Sequence, residues 1–214
     1  MTQAVRNSIN RIPKARIESL TDLIFGLALS IGAVSLLSKP PATPGDVISD
    51  LLGFGFSFLI LISIWFRYTN IISVLPFETS GVMVLNAILL FLVSVEPYLL
   101  SILAFGSFQS SQAAVADFAS QAYALDLAGL MAVLGFFAHQ VAVVERKQVA
   151  TRLESMHRRI RDVQFFSAAL FVLTTLHVFW TWRIDGTALR FYVWYAILLL
   201  TMLVRLSSRL RNGS

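Results

Sequence analysis

The sequence predicts an all-α integral membrane protein of six transmembrane helices with both termini on the cytoplasmic side. Three observations predict it. The 214 residues are 57% hydrophobic and only 14% charged, against about 25% charged in a soluble domain. The mean hydropathy is +0.73. Six stretches also approach the roughly 20 apolar residues that cross about 30 Å of hydrocarbon at 1.5 Å per residue.

In chain order the expected spans are 19–38, 47–66, 81–105, 125–144, 163–182 and 189–206. They fill residues 1–214 as one membrane domain and leave no soluble one. The first apolar run is longer than a signal-peptide core, and no Ala-x-Ala pattern follows it, so it reads as a retained helix. It ends at Lys39-Pro-Pro-Ala-Thr-Pro-Gly-Asp46, where proline cannot continue a helix and glycine favours a turn. Gly106 to Gln112 reads as a polar turn after the third span, and Asp185-Gly186 as a tight connection between the last two. The long connection Glu145–Asp162 is rich in helix formers and is expected to prolong the fourth helix into water.

Orientation follows from the basic residues. Six spans place on one side Arg6, Arg11, Lys14, Arg16, Arg67, Arg146, Lys147, Arg152, Arg158, Arg159, Arg161, Arg205, Arg209 and Arg211. The other side holds Lys39, Arg183 and Arg190. Fourteen against three puts the termini inside, because basic loops are retained on the cytoplasmic face. The pI near 10.0 is therefore a signature of topology and of contact with lipid headgroups rather than of a nucleic-acid partner.

Cysteine is absent, which excludes disulfides and thiolate metal sites. Gly-x-Ser-x-Gly, His-Glu-x-x-His and nucleotide-loop motifs are missing, so no enzyme, metal site or cofactor is expected. The Thr-Val-Gly-Tyr-Gly filter sequence is missing too, and no span carries arginine at every third position, which argues against a voltage sensor.

Polar residues inside the spans are the candidate functional positions. At about 100° per residue, Asp22, Gly26, Leu29 and Ala33 share one face of the first helix, where small residues suit contact with another helix. Leu27, Ile31 and Val34 form a separate aliphatic face with Ser30 at its edge. Arg16, one and a half turns before Asp22, is placed to pair with it. In the third span Asn86, Leu90, Ser94 and Pro97 align, and Asn86 needs a hydrogen-bond partner in hydrocarbon. Glu96 is expected near the outer end, in reach of water. Thr174, His177 and Thr181 read as a polar stripe on the fifth helix. Asp126 stands near the start of the fourth, with His139 on its opposite side. Trp180, Trp182, Tyr192, Trp194 and Tyr195 read as an interfacial aromatic belt.

The amino-terminal half resembles the prokaryotic members of the transmembrane protein 175 family of potassium channels. Arg16 followed by Leu20-Thr21-Asp22 is similar to the family's arginine and Phe-Ser-Asp, with leucine in place of the aromatic ring. The run Ser57–Trp65, with Tyr68 and Thr69 beyond it, resembles the second-span pattern without its usual histidine. Leu85-Asn86, Leu90-Phe91, Ser94 and Pro97 resemble the third. With one copy of the signature, the resemblance implies a single-repeat subunit that assembles as a homotetramer in a prokaryotic cell membrane and conducts potassium independently of voltage. It implies a pore lined by the first helices and narrowed by Leu27, with Ile31 and Val34 further along and Ser30 in a position where the family often has threonine. It also implies a structural network of Arg16, Thr21, Asp22 and Asn86. Two other readings stay open on residues alone. One is a secondary transporter using Asp22, Asp126 or His177 as coupling groups. The other is a non-transporting subunit that holds partners through its basic connection.

Overall fold

The computed structural model describes residues 14–37, 41–73, 75, 80–105, 113–147, 151–184 and 187–212. The order of elements is α1 (Lys14–Ser35), α2 (Pro44–Ile72), α3 (Ser80–Phe105), α4 (Ala113–Lys147), α5 (Thr151–Leu173), the single turn α6 (Val178–Thr181), β1 (Arg183–Ile184), β2 (Thr187–Ala188) and α7 (Leu189–Asn212). The fold is helical throughout apart from the two-residue antiparallel ladder, in which Arg183 faces Ala188 and Ile184 faces Thr187.

Four of these helices, over Arg16–Ser35, Pro44–Ile72, Ser80–Leu103 and Ala114–Val143, are long and apolar enough to cross a membrane. The apolar part of α7, Leu189–Thr201, is shorter. Only helices and closed barrels satisfy every backbone group inside a bilayer, so the chain reads as a multi-pass helical membrane protein.

Local chemistry sets several helix ends. The start of α2 is a capping box. Thr43 Oγ1 accepts from the Asp46 amide at 3.2 Å, and Asp46 Oδ2 accepts from the Thr43 amide at 2.8 Å, with Pro44 in the first turn. The helix then runs to Ile72, six residues past the expected end of the second span, and carries Arg67 inside it. Arg67 is buried and donates to Gln164 Oε1 on α5 at 2.8 Å, so it does not belong to a loop after that span.

The bundle is built around α4. Tyr123, Leu127, Leu130, Leu134 and Phe137 are fully enclosed, and α4 packs most extensively on α5 and then on α3. Two glycines permit this closeness. A Cβ on Gly129 would stand 3.0 Å from Leu92 of α3, and one on Gly135 3.0 Å from the Phe165 ring of α5. The fourth span was expected from residue 125, yet α4 begins at Ala113. The expected turn at Gly106–Gln112 and the Asp185-Gly186 pair lie outside the described residues, as do 148–150. Beyond those three, Thr151–Asp162 forms the first half of α5 instead of prolonging the fourth helix.

The expected fifth span, 163–182, is not one helix. It stops at Leu173, and the chain turns through Thr174–His177 before α6. The hydroxyls of Thr174 and Thr175 donate back to the carbonyls of Phe171 and Val172, both at 2.7 Å, which competes with the helical ladder. The amides of Thr175 and Leu176 reach carbonyls three residues back, the tighter spacing common at a helix end. The carbonyls of Thr174, Thr175 and Leu176 are left facing Arg190, from the first turn of α7. Its Nε donates to Thr174 O at 2.6 Å, and its Nη2 lies 3.3 Å and 3.4 Å from the other two. A cation at a helix carboxyl end satisfies carbonyls and opposes their partial negative charge. Arg190 is 0% exposed and also pairs with Asp117 Oδ1 on α4 at 3.0 Å and contacts Ser120. It is a strut of the bundle rather than an outer-loop charge.

Candidate functional site

The first helix divides sharply into covered and uncovered faces. Thr21, Phe25, Ala28 and Gly32 are buried against α3 and α2. Their spacing of four, three and four residues is one helical stripe. Leu20, Leu23, Leu27, Ile31 and Val34 are uncovered, with Leu27 57%, Ile31 49% and Val34 64% exposed. The aliphatic face singled out in the sequence is therefore bare in the single chain. The face expected to suit contact with another helix, Asp22, Gly26, Leu29 and Ala33, is only partly covered within the single chain. Leu29 is half-buried, whereas Asp22, Gly26 and Ala33 are exposed, and a Cβ added at Gly26 would meet nothing within 4 Å. Ser30, also exposed, donates to its own helix at Gly26 O, 2.8 Å away.

The foot of α1 is tied down by two sets of hydrogen bonds. Thr21 Oγ1 donates to Ile17 O at 2.9 Å and lies 3.3 Å from the Tyr68 hydroxyl of α2. Tyr68 in turn donates to Asn86 Oδ1 of α3 at 2.7 Å. Beside it, Trp65 Nε1 of α2 donates to Asp22 Oδ1 at 2.8 Å. Thr21 and Asn86 thus meet through Tyr68, and Asp22 is held separately by Trp65; neither aromatic residue was in the expected network. Tyr68 and Trp65 were noticed only as parts of the second-span pattern. Arg16 is exposed and takes no part in these bonds among the described residues. Tyr68 is 1% exposed, with its ring against Phe25 and Phe137 at centroid distances of 6.5 Å and 5.8 Å. Burial holds the ring, and the ring holds the hydroxyl between α1 and α3.

This arrangement makes a measurable claim. Tyr68→Phe keeps the ring and removes the donor that satisfies the buried Asn86, at a cost of about 1–3 kcal/mol for an orphaned polar group. Thermal unfolding in mild detergent should drop accordingly, and Asn86→Leu in the same background should recover part of the loss.

Other polar positions fall elsewhere. Glu96 is not in reach of water. It is 0% exposed and accepts from Ser57 and Tyr123. Thr174, His177 and Thr181 do not form a stripe, because the helix breaks between them. Thr174 is buried and accepts from Trp194 Nε1 at 2.9 Å, whereas His177 is exposed and lies 3.2 Å from Asp117 Oδ2. Trp194 is accordingly a buried packing residue, while Trp182, Tyr192 and Tyr195 stay exposed as a belt requires. No group of three or more His, Cys, Asp or Glu side chains that could hold a metal ion occurs among the described residues.

The comparisons with known proteins bear on the same region. Residues 16–97, which contain all but the first two residues of α1, the whole of α2 and the third-span pattern, match the family model described as "Endosomal/lysosomal potassium channel TMEM175". The chain is similar in fold to the crystal structure of a lysosomal potassium-selective channel TMEM175 homolog from Chamaesiphon minutus. The TM-score is 0.61 at 18% identity, over 89% of this chain and 96% of that one. No curated protein sequence matches. The likeness read from the first-, second- and third-span residues is thus found independently in sequence over the amino-terminal half and in fold along most of the chain.

Proposed function

We propose that this chain is a subunit of a potassium-permeable, voltage-independent channel, a homotetramer in the cell membrane of a prokaryote whose four α1 helices line the pore. The observation that carries the reading is the family match over residues 16–97, the segment that holds the bare aliphatic face of α1 and its anchor. A single protomer leaves Leu27, Ile31 and Val34 uncovered, and a closed ring of copies gives that face an axis to surround. In this reading Leu27 forms the narrow point, Ile31 and Val34 extend it, and Ser30 supplies a hydroxyl beside it. Arg16, Thr21, Asp22 and Asn86 belong to the network that fixes α1 against its neighbours. The absence of arginine at every third position in any span supports voltage independence. The family matched is a channel and not an enzyme class, and the proposed permeant species is the potassium ion with no cofactor.

The proposal includes six passes. In it, α5 with its turn and α7 complete the count begun by α1–α4, so both termini face the cytoplasm. Cysteines introduced singly at Ala42 and Arg159 should then label from opposite sides of the membrane.

Flux through liposomes loaded with the purified protein tests the function. Potassium should pass faster than sodium, without a co-ion gradient and alike at either sign of membrane potential. Flux that requires a proton or sodium gradient identifies a transporter, and no flux at all a non-transporting subunit.

A further inference from the structure

We infer that Glu96 and Asp126 form a proton-binding site inside the helix bundle, with Asp126 carrying the proton and Glu96 keeping the negative charge. The inference stands apart from the channel reading. Glu96 on α3 is fully enclosed. The Ser57 hydroxyl of α2 lies 2.8 Å from each of its oxygens, and the Tyr123 hydroxyl of α4 donates to Oε1 at 2.9 Å. Glu96 therefore acts as an acceptor, and each hydroxyl has its one proton directed at it.

Asp126 lies one helical turn beyond Tyr123 on α4. It is 5% exposed, and neither of its oxygens has a hydrogen-bond partner among the described residues. The residue one turn before it, Tyr123, is the one bonded to Glu96. The titratable groups facing the pair are Tyr123 of α4 and, next to Tyr123, Tyr195 of α7. From α2 come Ser57 and the Phe56 ring, which packs on Tyr195 at 4.6 Å. None of these is a cation. Two buried arginines reach α4 on either side of Asp126: Arg190 is engaged by Asp117, and Arg67 of α2, whose Nη1 lies 3.6 Å from Met131 Sδ, donates to Gln164 of α5.

Two carboxylates enclosed in a membrane bundle, with no cation paired to either among the described residues, each incur several kcal/mol of lost hydration and repel one another as well. A proton on one removes both costs. Which carboxyl takes it follows from the donors. Glu96 receives two hydroxyl hydrogen bonds, which stabilise a charge, and Asp126 receives none. A buried ionisable residue inside a span with no structural partner marks a functional site. Here the ligand is the smallest possible one.

Infrared spectroscopy of the full chain in lipid vesicles tests this. At neutral pH the wild type should show the carbonyl band of a protonated carboxyl group, shifted on exchange into deuterated water and lost on titration to alkaline pH. Asp126→Asn should abolish the band, Asp126→Glu should move it, and Glu96→Gln should leave it in place. Absence of the band from the neutral wild type overturns the inference. So does a band that survives Asp126→Asn, or one that potassium or sodium removes at constant pH, which would make the pair a metal-cation site. Should Asp126→Asn fail to fold, the shift in Asp126→Glu decides.

Discussion

Arg190→Met should be among the most destabilising single substitutions in this protein, costing about 3–5 kcal/mol, the range for removing one partner of a buried ion pair. The guanidinium is fully enclosed. It holds the carbonyls of Thr174, Thr175 and Leu176 and the Asp117 carboxylate at once. Methionine fills similar volume but donates nothing, so the carbonyls of Thr174 and Thr175 lose the donor described for them, while Leu176 O keeps the Phe179 amide and Asp117 keeps His177. The end of α5 and the first turn of α7 should separate, because the other cross-link described there is the Trp194–Thr174 hydrogen bond. Arg190→Lys should recover only part of the loss, since one ammonium cannot span positions that the planar fork reaches. Thermal unfolding in detergent, read beside protease cleavage between Leu173 and Trp182, measures both effects. A midpoint within a degree or two of wild type for Arg190→Met would show that this strut is dispensable.

The second large effect belongs to the proposed constriction. If four Leu27 side chains meet on an axis, an ion passing them gives up water and gains no carbonyl ligand, so flux is limited by dewetting and size. Leu27→Ala should raise potassium flux about tenfold, the change produced by removing roughly 1.4 kcal/mol from a barrier. Sodium should gain more than potassium, because its tighter hydration shell is what the narrow point resists. Phe25→Ala is the control. Phe25 is buried two residues away on the covered face, so truncating it should cost about 3–5 kcal/mol of stability while leaving the ion ratio unchanged. Liposome flux with both ions separates the two variants. Ion preference that moves with Phe25 and not with Leu27 would put the conduction path on another face.

The face of α1 shows how far residues alone carried. Helical spacing groups Leu27, Ile31 and Val34 without any coordinates, because 100° per residue is a property of every α-helix. It cannot say which group faces protein. In water that question is answered by polarity, since the polar face stays wet. In a bilayer the lipid tails are as apolar as leucine, so an apolar stripe suits lipid, a pore or a neighbouring helix equally. The small-residue face around Gly26 was accordingly expected to pack and is bare within the single chain, while Thr21, Phe25, Ala28 and Gly32 pack inside it. The anchor was partly legible, since Thr21, Asp22 and Asn86 are polar groups in hydrocarbon that require partners. Tyr68 and Trp65 were less legible as those partners, because aromatic residues at a helix end equally suit an interface.

By itself the sequence determined the class of protein and most of its helices. Composition, run length and the obligation of backbone groups to bond internally in lipid are properties of contiguous residues. It also held the family likeness, carried by short local patterns in the first three spans. Only the tertiary structure decided that the fifth apolar run breaks after Leu173, because the donor that makes the break tolerable is Arg190, sixteen residues past Thr174. Only the tertiary structure enclosed Glu96, since that required Ser57 and Tyr123 to arrive from two other helices. Both outcomes depend on which distant groups satisfy a buried charge. Spacing along one chain records that a polar residue needs a partner, and packing between helices chooses the partner.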